Sequence, residues 1–291
     1  ISIATPSFLG KQNILNLLRQ SSIIGIISAG MTFVIISGNF DISVGAVAAL
    51  AGAITMKFAT GGTNLFASMF LGVAICAVIG LINGIVVAKI NVPSLIATMA
   101  MVTIVRGLLL MLTGGYPITE NIPILDYIGN GYLFNIPIPV VIFFIVVLAS
   151  FIVLNKTKFG RYVYSVGGNQ EASKLNGINV DSHKVKVFII NAVLAGIAGI
   201  VLTGRLGTAT AIAGEGYDMD AIASVVIGGT SVAGGSGSVL KTVIGVLLMS
   251  VINNSFNLLG IDVYFQYIFK GLIILAAVGF DSYSKKKLAS R

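Results

Sequence analysis

Nine runs of apolar residues divide the chain, near 20–37, 42–58, 64–89, 94–113, 137–154, 185–205, 219–234, 238–258 and 264–280. Crossing a bilayer core takes about 20 mostly apolar residues in a helix rising about 1.5 Å each, so each run predicts one crossing. None alternates apolar with polar positions as a barrel strand must, and lipid tolerates no open sheet edge. The pattern therefore predicts an all-α, polytopic transmembrane helix bundle, organised as a single domain over 1–291. Composition agrees: 56% of residues are hydrophobic and 10% are charged, against about 25% charged in an ordinary soluble domain. A soluble protein of this size could not cover its surface with so few polar side chains.

Charge orients the bundle. The stretch 155–186 carries Lys156, Lys158, Arg161, Lys174, Lys184 and Lys186, and the tail adds Lys285, Lys286, Lys287 and Arg291. Basic loops stay in the cytoplasm, so both lie inside. The stretch 114–136 has no Lys or Arg but holds Glu120 and Asp126, which puts it outside. Counting back from 155–186, five crossings place residue 1 outside. A cytoplasmic tail and a first span are then expected ahead of Ile1, about ten spans in all, and a cleaved signal sequence is the alternative. The net charge of +8 sits in juxtamembrane positions without interleaved aromatic residues, so nucleic acid is not the expected partner; the lipid bilayer is.

Catalytic chemistry finds little support. Cys76 is alone in an apolar run and His183 is the single histidine, which allows neither a disulfide within the chain nor a thiolate metal site. No Ser-His-Asp or paired-carboxylate set can be assembled in the spans, and no metal or cofactor is expected. Gly235 to Thr242 approaches a phosphate-binding loop, but Leu240 stands where glycine must precede the lysine, so ATP hydrolysis is expected in another subunit.

Two spans are broken at a carboxylate. Gly38-Asn39-Phe40-Asp41-Ile42-Ser43-Val44-Gly45 separates the first two runs, with Asp41 placed to cap a helix starting at Ile42. Parity sets this turn at the inner surface, so Asp41 is either a cap alone or a cap that lines the pathway. Tyr217-Asp218-Met219 opens a similar run; aligning Asp41 with Asp218 also matches Ala46 with Ala223 and Gly52 with Gly229, which suggests an inverted repeat. Asn39, Asp41, Ser43, Asn83, Asp218 and Asn253 are the polar groups expected along a translocation pathway. Asn83, Asn191, Asn253 and Asn254 either bond across helices or offer amides to a solute, and Arg106 and Lys270 either reach an interface or meet a carboxylate. Gly80 with Gly84, and Ala195, Gly196 and Gly199, have close-packing spacing.

The cytoplasmic stretch Gly160-Arg161-Tyr162-Val163-Tyr164-Ser165-Val166-Gly167-Gly168-Asn169-Gln170-Glu171-Ala172, then Gly177-Ile178-Asn179-Val180, resembles the sugar permeases of bacterial ABC importers, the ribose, galactose and xylose type. So do Gly38 to Gly45, Tyr217 to Gly235, and Asn257 to Gly260 with Tyr264-Phe265-Gln266. The resemblance covers nearly the whole chain and departs mildly at Ile42 and Ser173, where the family carries leucine and alanine, and by one extra residue after Gly38. It implies a multi-pass subunit of the bacterial cytoplasmic (inner) membrane that carries ribose or a related monosaccharide. It also implies a second permease copy, forming a homodimer, a cytoplasmic ATP-binding subunit, and an extracytoplasmic sugar-binding protein. Nucleosides, branched-chain amino acids and the autoinducer-2 furanose are alternative cargoes. The residues fit that division of labour at the inner loop: Gly167-Gly168 turns the chain, Glu171, Ala172 and Leu175 lie on a short helix, and Gly177 ends it. Gly168, Asn169, Glu171, Ala172, Leu175 and Gly177 are thus expected to dock on the ATP-binding subunit; a helix resting on the membrane surface is the alternative. An ion-coupled secondary carrier shares broken helices and inverted repeats, but normally embeds several acidic or His groups, and here Asp41 is the clear one.

Overall fold

The computed structural model describes residues 6–289, with side chains over 8–279. Among them are twelve helices: α1 (Lys11–Ile36), α2 (Val44–Thr60), α3 (Leu65–Ala88), α4 (Ser94–Thr113), α5 (Pro123–Asn130), α6 (Ile138–Lys156), α7 (Lys158–Gly168), α8 (Gln170–Leu175), α9 (Val180–Leu206), α10 (Tyr217–Ile227), α11 (Val239–Leu258) and α12 (Val263–Ala289). The only strands among the described residues are two antiparallel ribbons, β1 (Ile118–Thr119) with β4 (Thr208–Ala209) and β2 (Tyr132–Leu133) with β3 (Ile136–Pro137). Six helices, α1, α3, α4, α6, α9 and α11, are long and apolar enough to cross a membrane, and α2 and Val263–Gly279 are shorter apolar helices. The chain is an all-α polytopic bundle, as its apolar runs predict.

α1, α2 and α9 form the centre. α1 is buried almost without a break from Arg19 to Ile36, and α2 from Val44 to Met56. α3 closes on α9 through small residues: a Cβ on Gly80 would lie 2.6 Å from the Phe188 carbonyl, and one on Gly84 2.7 Å from Val185 Cα. The outer helices show apolar faces, with Phe70 76%, Phe144 66% and Ile244 65% exposed. Leaving such a side chain in water forgoes about 1.5–3 kcal/mol each, which lipid recovers. Outside the spans, α5 lies across the end of α9, where Gly129 meets Gly204 and Arg205.

One predicted span is corrected. The run 219–234 does not form a full crossing helix, because α10 has 11 residues, about 16 Å of rise and roughly half of a 30 Å core. The chain completes the crossing with irregular backbone. β4 holds it beside β1 at one end of the bundle, then residues 210–216 run into the bundle until Gly214 touches Gly45 at the start of α2. From there α10 continues toward the opposite end, where Gly235 N–H donates to Ile36 O at 2.8 Å.

The first break is also deeper than an inner-surface turn. Asp41 bonds Asn191, which lies eleven residues along α9 from Val180, about 16 Å. The helix begins at Val44, not Ile42. α2 and α10 thus begin side by side within the bundle and run toward opposite faces.

Candidate functional site

At the first break side chains take up backbone donors that the two helices leave free, as lipid depth demands. Phe40 N–H donates to Ser94 Oγ at 3.1 Å and Ile42 N–H to Thr98 Oγ1 at 3.3 Å, both from α4. Asp41, 1% exposed, accepts from Ser43 N–H at 2.9 Å, Ser43 O–H at 2.5 Å and Asn191 Nδ2 at 2.9 Å. Asn83 Nδ2 donates to Ser43 Oγ at 3.1 Å. The carboxylate therefore closes a turn just ahead of α2 and ties α2, α3 and α9 together; it does not cap the first turn of the helix. Asn39 is buried beside it, its amide donating to Ser37 O and Oγ at 3.1 Å.

The second break opens a space instead. A cavity of about 530 Å³ lies between the start of α2, α4, residues 214–219 and α12, lined by Thr103, Arg106, Glu215, Asp218 and Tyr267 among others. Arg106 Nη1 donates to the Ala211 carbonyl and, at 3.3 Å, to that of Ala213. It thereby satisfies two carbonyls of the irregular segment 210–216. Of the six residues expected along a pathway, Asp218 lines this cavity; Asn39, Asp41, Ser43 and Asn83 sit in the closed cluster.

Asn253 belongs to a third group. Asp220 is buried and meets Lys270 Nζ of α12 at 3.0 Å, while Asn253 Nδ2 donates to it at 3.4 Å. Asp220 was not singled out from the sequence. Its signal is its spacing: two residues beyond Asp218 on a helix, it faces nearly the opposite way. Asn83, Asn191, Asn253 and Asn254, which bonds Asn13 of α1 at 3.0 Å, all bond across helices.

At the end of the bundle that carries the stretch 155–186 both breaks rest on one platform. α7 packs against the end of α1 and the turn following α10. A Cβ on Gly234 would fall 2.9 Å from both Gly167 O and Gly38 Cα, and one on Gly235 2.7 Å from Gly168 Cα. Tyr164 O–H donates to Gly237 O at 3.0 Å, and burial raises this phenol above its ordinary pKa. The near-phosphate loop at 235–242 is thus an inner turn leading into α11. Contrary to the expectation from sequence, Gly167 and Gly168 do not turn the chain. They end α7, and the turn falls at Asn169, which is extended at φ −160°; glycine is needed at 167 because backbone passes so close.

α8 projects from that platform. Asn169 caps it, accepting from Ala172 N–H at 2.9 Å. Ser173 is buried and shares a 2.9 Å hydrogen bond with Ser165 of α7. Lys184 Nζ donates to Gln170 Oε1 at 2.9 Å, tying the knob to α9. Gly168, Asn169, Glu171, Ala172 and Gly177 face solvent, Leu175 is 89% exposed, and Gly177 ends the turn with φ +77°, where glycine alone is unstrained.

A family model described as branched-chain amino acid transport system / permease component matches residues 13–278. The chain is 43% identical to the ribose import permease of Haemophilus influenzae over 99% of its own length and 91% of that protein. It is 44% identical to the ribose import permease of Bacillus subtilis, over 97% and 88%. The D-allose transport system permease of Escherichia coli K12 is 36% identical over 96% and 86%. No solved structure matches the chain.

Proposed function

The chain belongs to the branched-chain amino acid transport system / permease component family, and from that premise we propose that it is the membrane-spanning subunit of an ATP-driven importer. Its cargo is ribose or a related monosaccharide, carried across the bacterial inner membrane. ATP is hydrolysed in a separate cytoplasmic subunit, and an extracytoplasmic binding protein delivers the sugar. The similarity to ribose import permeases over nearly the full chain carries the choice of cargo.

Two copies form the working unit. Glu215 is exposed beside the cavity, between Gly214 and α10, at a depth set by the contact of Gly214 with Gly45. A carboxylate at that depth does not face lipid. A second copy closing the open side of the cavity, where Met219 and Tyr267 are exposed, would leave Glu215 in a shared aqueous path.

α8 transmits the ATP-driven movement. It is exposed where a partner groove must reach it, and fixed where force must pass: to α7 through Ser173, and through α7 to both breaks. Ala172→Glu and Leu175→Asp each place a charge in the docked surface. Either is expected to cost about 2 kcal/mol or more of docking, a weakening of about thirtyfold. Co-purification with the ATP-binding subunit and sugar-stimulated ATPase in liposomes should both fall, with no change in membrane insertion. If both variants assemble and stimulate like the parent, α8 is not the coupling element.

A further inference from the structure

We propose that the cavity of about 530 Å³ beside α10 is a binding station for one neutral monosaccharide ring, held by Arg106, Glu215, Asp218 and Tyr267. This deepens the proposed function and rests on it for the class of cargo. The volume falls in the range of small-molecule sites, about 300–1,000 Å³. The chemistry of the lining is that of a polyol host. Glu215 and Asp218 offer acceptor oxygens to hydroxyl donors, and Thr103 can both donate and accept. Arg106 spends Nη1 on Ala211 and Ala213, leaving Nε and Nη2 as donors for hydroxyl oxygens. The ring of Tyr267, 59% exposed, supplies a flat apolar face for the C–H side of a sugar.

Charge favours a neutral solute. Two carboxylates, Glu215 and Asp218, face a single guanidinium in the lining, so its ionised side chains sum to a net negative charge and an anionic cargo would meet repulsion. Position also fits a way-station. The lining joins the starts of both half-helices, α2 at Gly45 and α10 at Gly216. Both half-helices start at this level, as at the midplane sites of transporters built on broken helices. A second cavity of about 250 Å³ shares Glu215, Gly216, Met219 and Tyr267 and continues along α12 past Lys270.

The test uses the assembled transporter in membrane vesicles. Cys76 is the only cysteine and is buried, so Met99→Cys or Val102→Cys introduces one reactive thiol into the cavity. Each is modified with a small methanethiosulfonate, and the rate on this chain is followed with and without D-ribose. Saturating D-ribose is expected to slow modification at least tenfold, and L-leucine not to slow it. Asp218→Asn in the same background should raise the D-ribose concentration for half-protection tenfold or more. Equal rates with and without D-ribose at both cysteines would overturn the assignment, as would protection unaltered by Asp218→Asn. ATP-driven uptake by the parent transporter is scored separately. Unprotected cysteines beside normal parent uptake remove the cavity alone, whereas absent parent uptake removes the proposed function.

Discussion

Gly167→Ala is expected to abolish sugar-stimulated ATPase and uptake, while Gly168→Ala, one residue along, leaves both near the parent level. The contrast follows from what a methyl group would meet. At Gly167 it would fall inside the van der Waals contact of Ile36 O and 2.7 Å from Gly235 N, backbone atoms on two other segments. Neither can move without shifting the end of α1 or the turn after α10. At Gly168 the nearest atom would be Gly235 Cα at 3.9 Å, an ordinary contact. Intrinsic helix propensity favours alanine at either position by about 1 kcal/mol, so propensity cannot produce the difference. Overpacking typically costs about 1–3 kcal/mol, here spent on prising α7 from both breaks. Paired assays of ATPase and thermal unfolding decide it. A Gly167→Ala transporter with parental coupling would mean that the platform is not the route by which α8 reaches the half-helices.

Asp41→Ala is expected to insert normally yet lose tenfold or more of uptake per inserted molecule. The carboxylate is the hub of the first break, and its removal strands Ser43 N–H, Ser43 O–H and the Asn191 amide in a fully buried site. Each stranded donor costs about 1–3 kcal/mol. Insertion depends on the apolar length of α1, α3 and α9, which the substitution does not touch. The loss therefore falls on how α2 is held against α3 and α9. We read Asp41 as the lock that fixes where α2 begins, with Asp218 as the carboxylate that meets solute. Quantified uptake normalised to membrane-inserted protein tests this, and parental uptake would reduce Asp41 to a dispensable turn.

Those two aspartates mark how far the sequence could be read. Each interrupts an apolar run and introduces a helix, and that much follows from a charge where lipid tolerates none. What separates them is tertiary. Asp41 meets Asn191, 150 positions away, and is sealed, whereas Asp218 shares an open cavity with Arg106. No local pattern encodes that difference. The long spans were legible because their apolar length is itself the signal, and α3, α4, α6, α9 and α11 stand close to their predicted places. α10 was not, since the apolar run 219–234 conceals the end of the helix at Gly228 and an irregular entry over 210–216. α7 was hidden for a different reason. Its polar, basic-flanked sequence reads as a loop, and its one compelling feature, the glycine pair, ends the helix, with Gly167 serving close approach instead of turning. α8 was legible at its end, from Gly177, but its cap at Asn169 was not read as one.

The central claim is that ATP, hydrolysed by a partner, drives a small sugar through this chain. It is tested most directly by uptake of labelled D-ribose in vesicles carrying the chain with its ATP-binding subunit and binding protein. The account predicts uptake that vanadate abolishes and that persists after a protonophore collapses the proton gradient. Uptake that ignores vanadate and stops with the proton gradient would contradict it, and would make the chain an ion-coupled carrier.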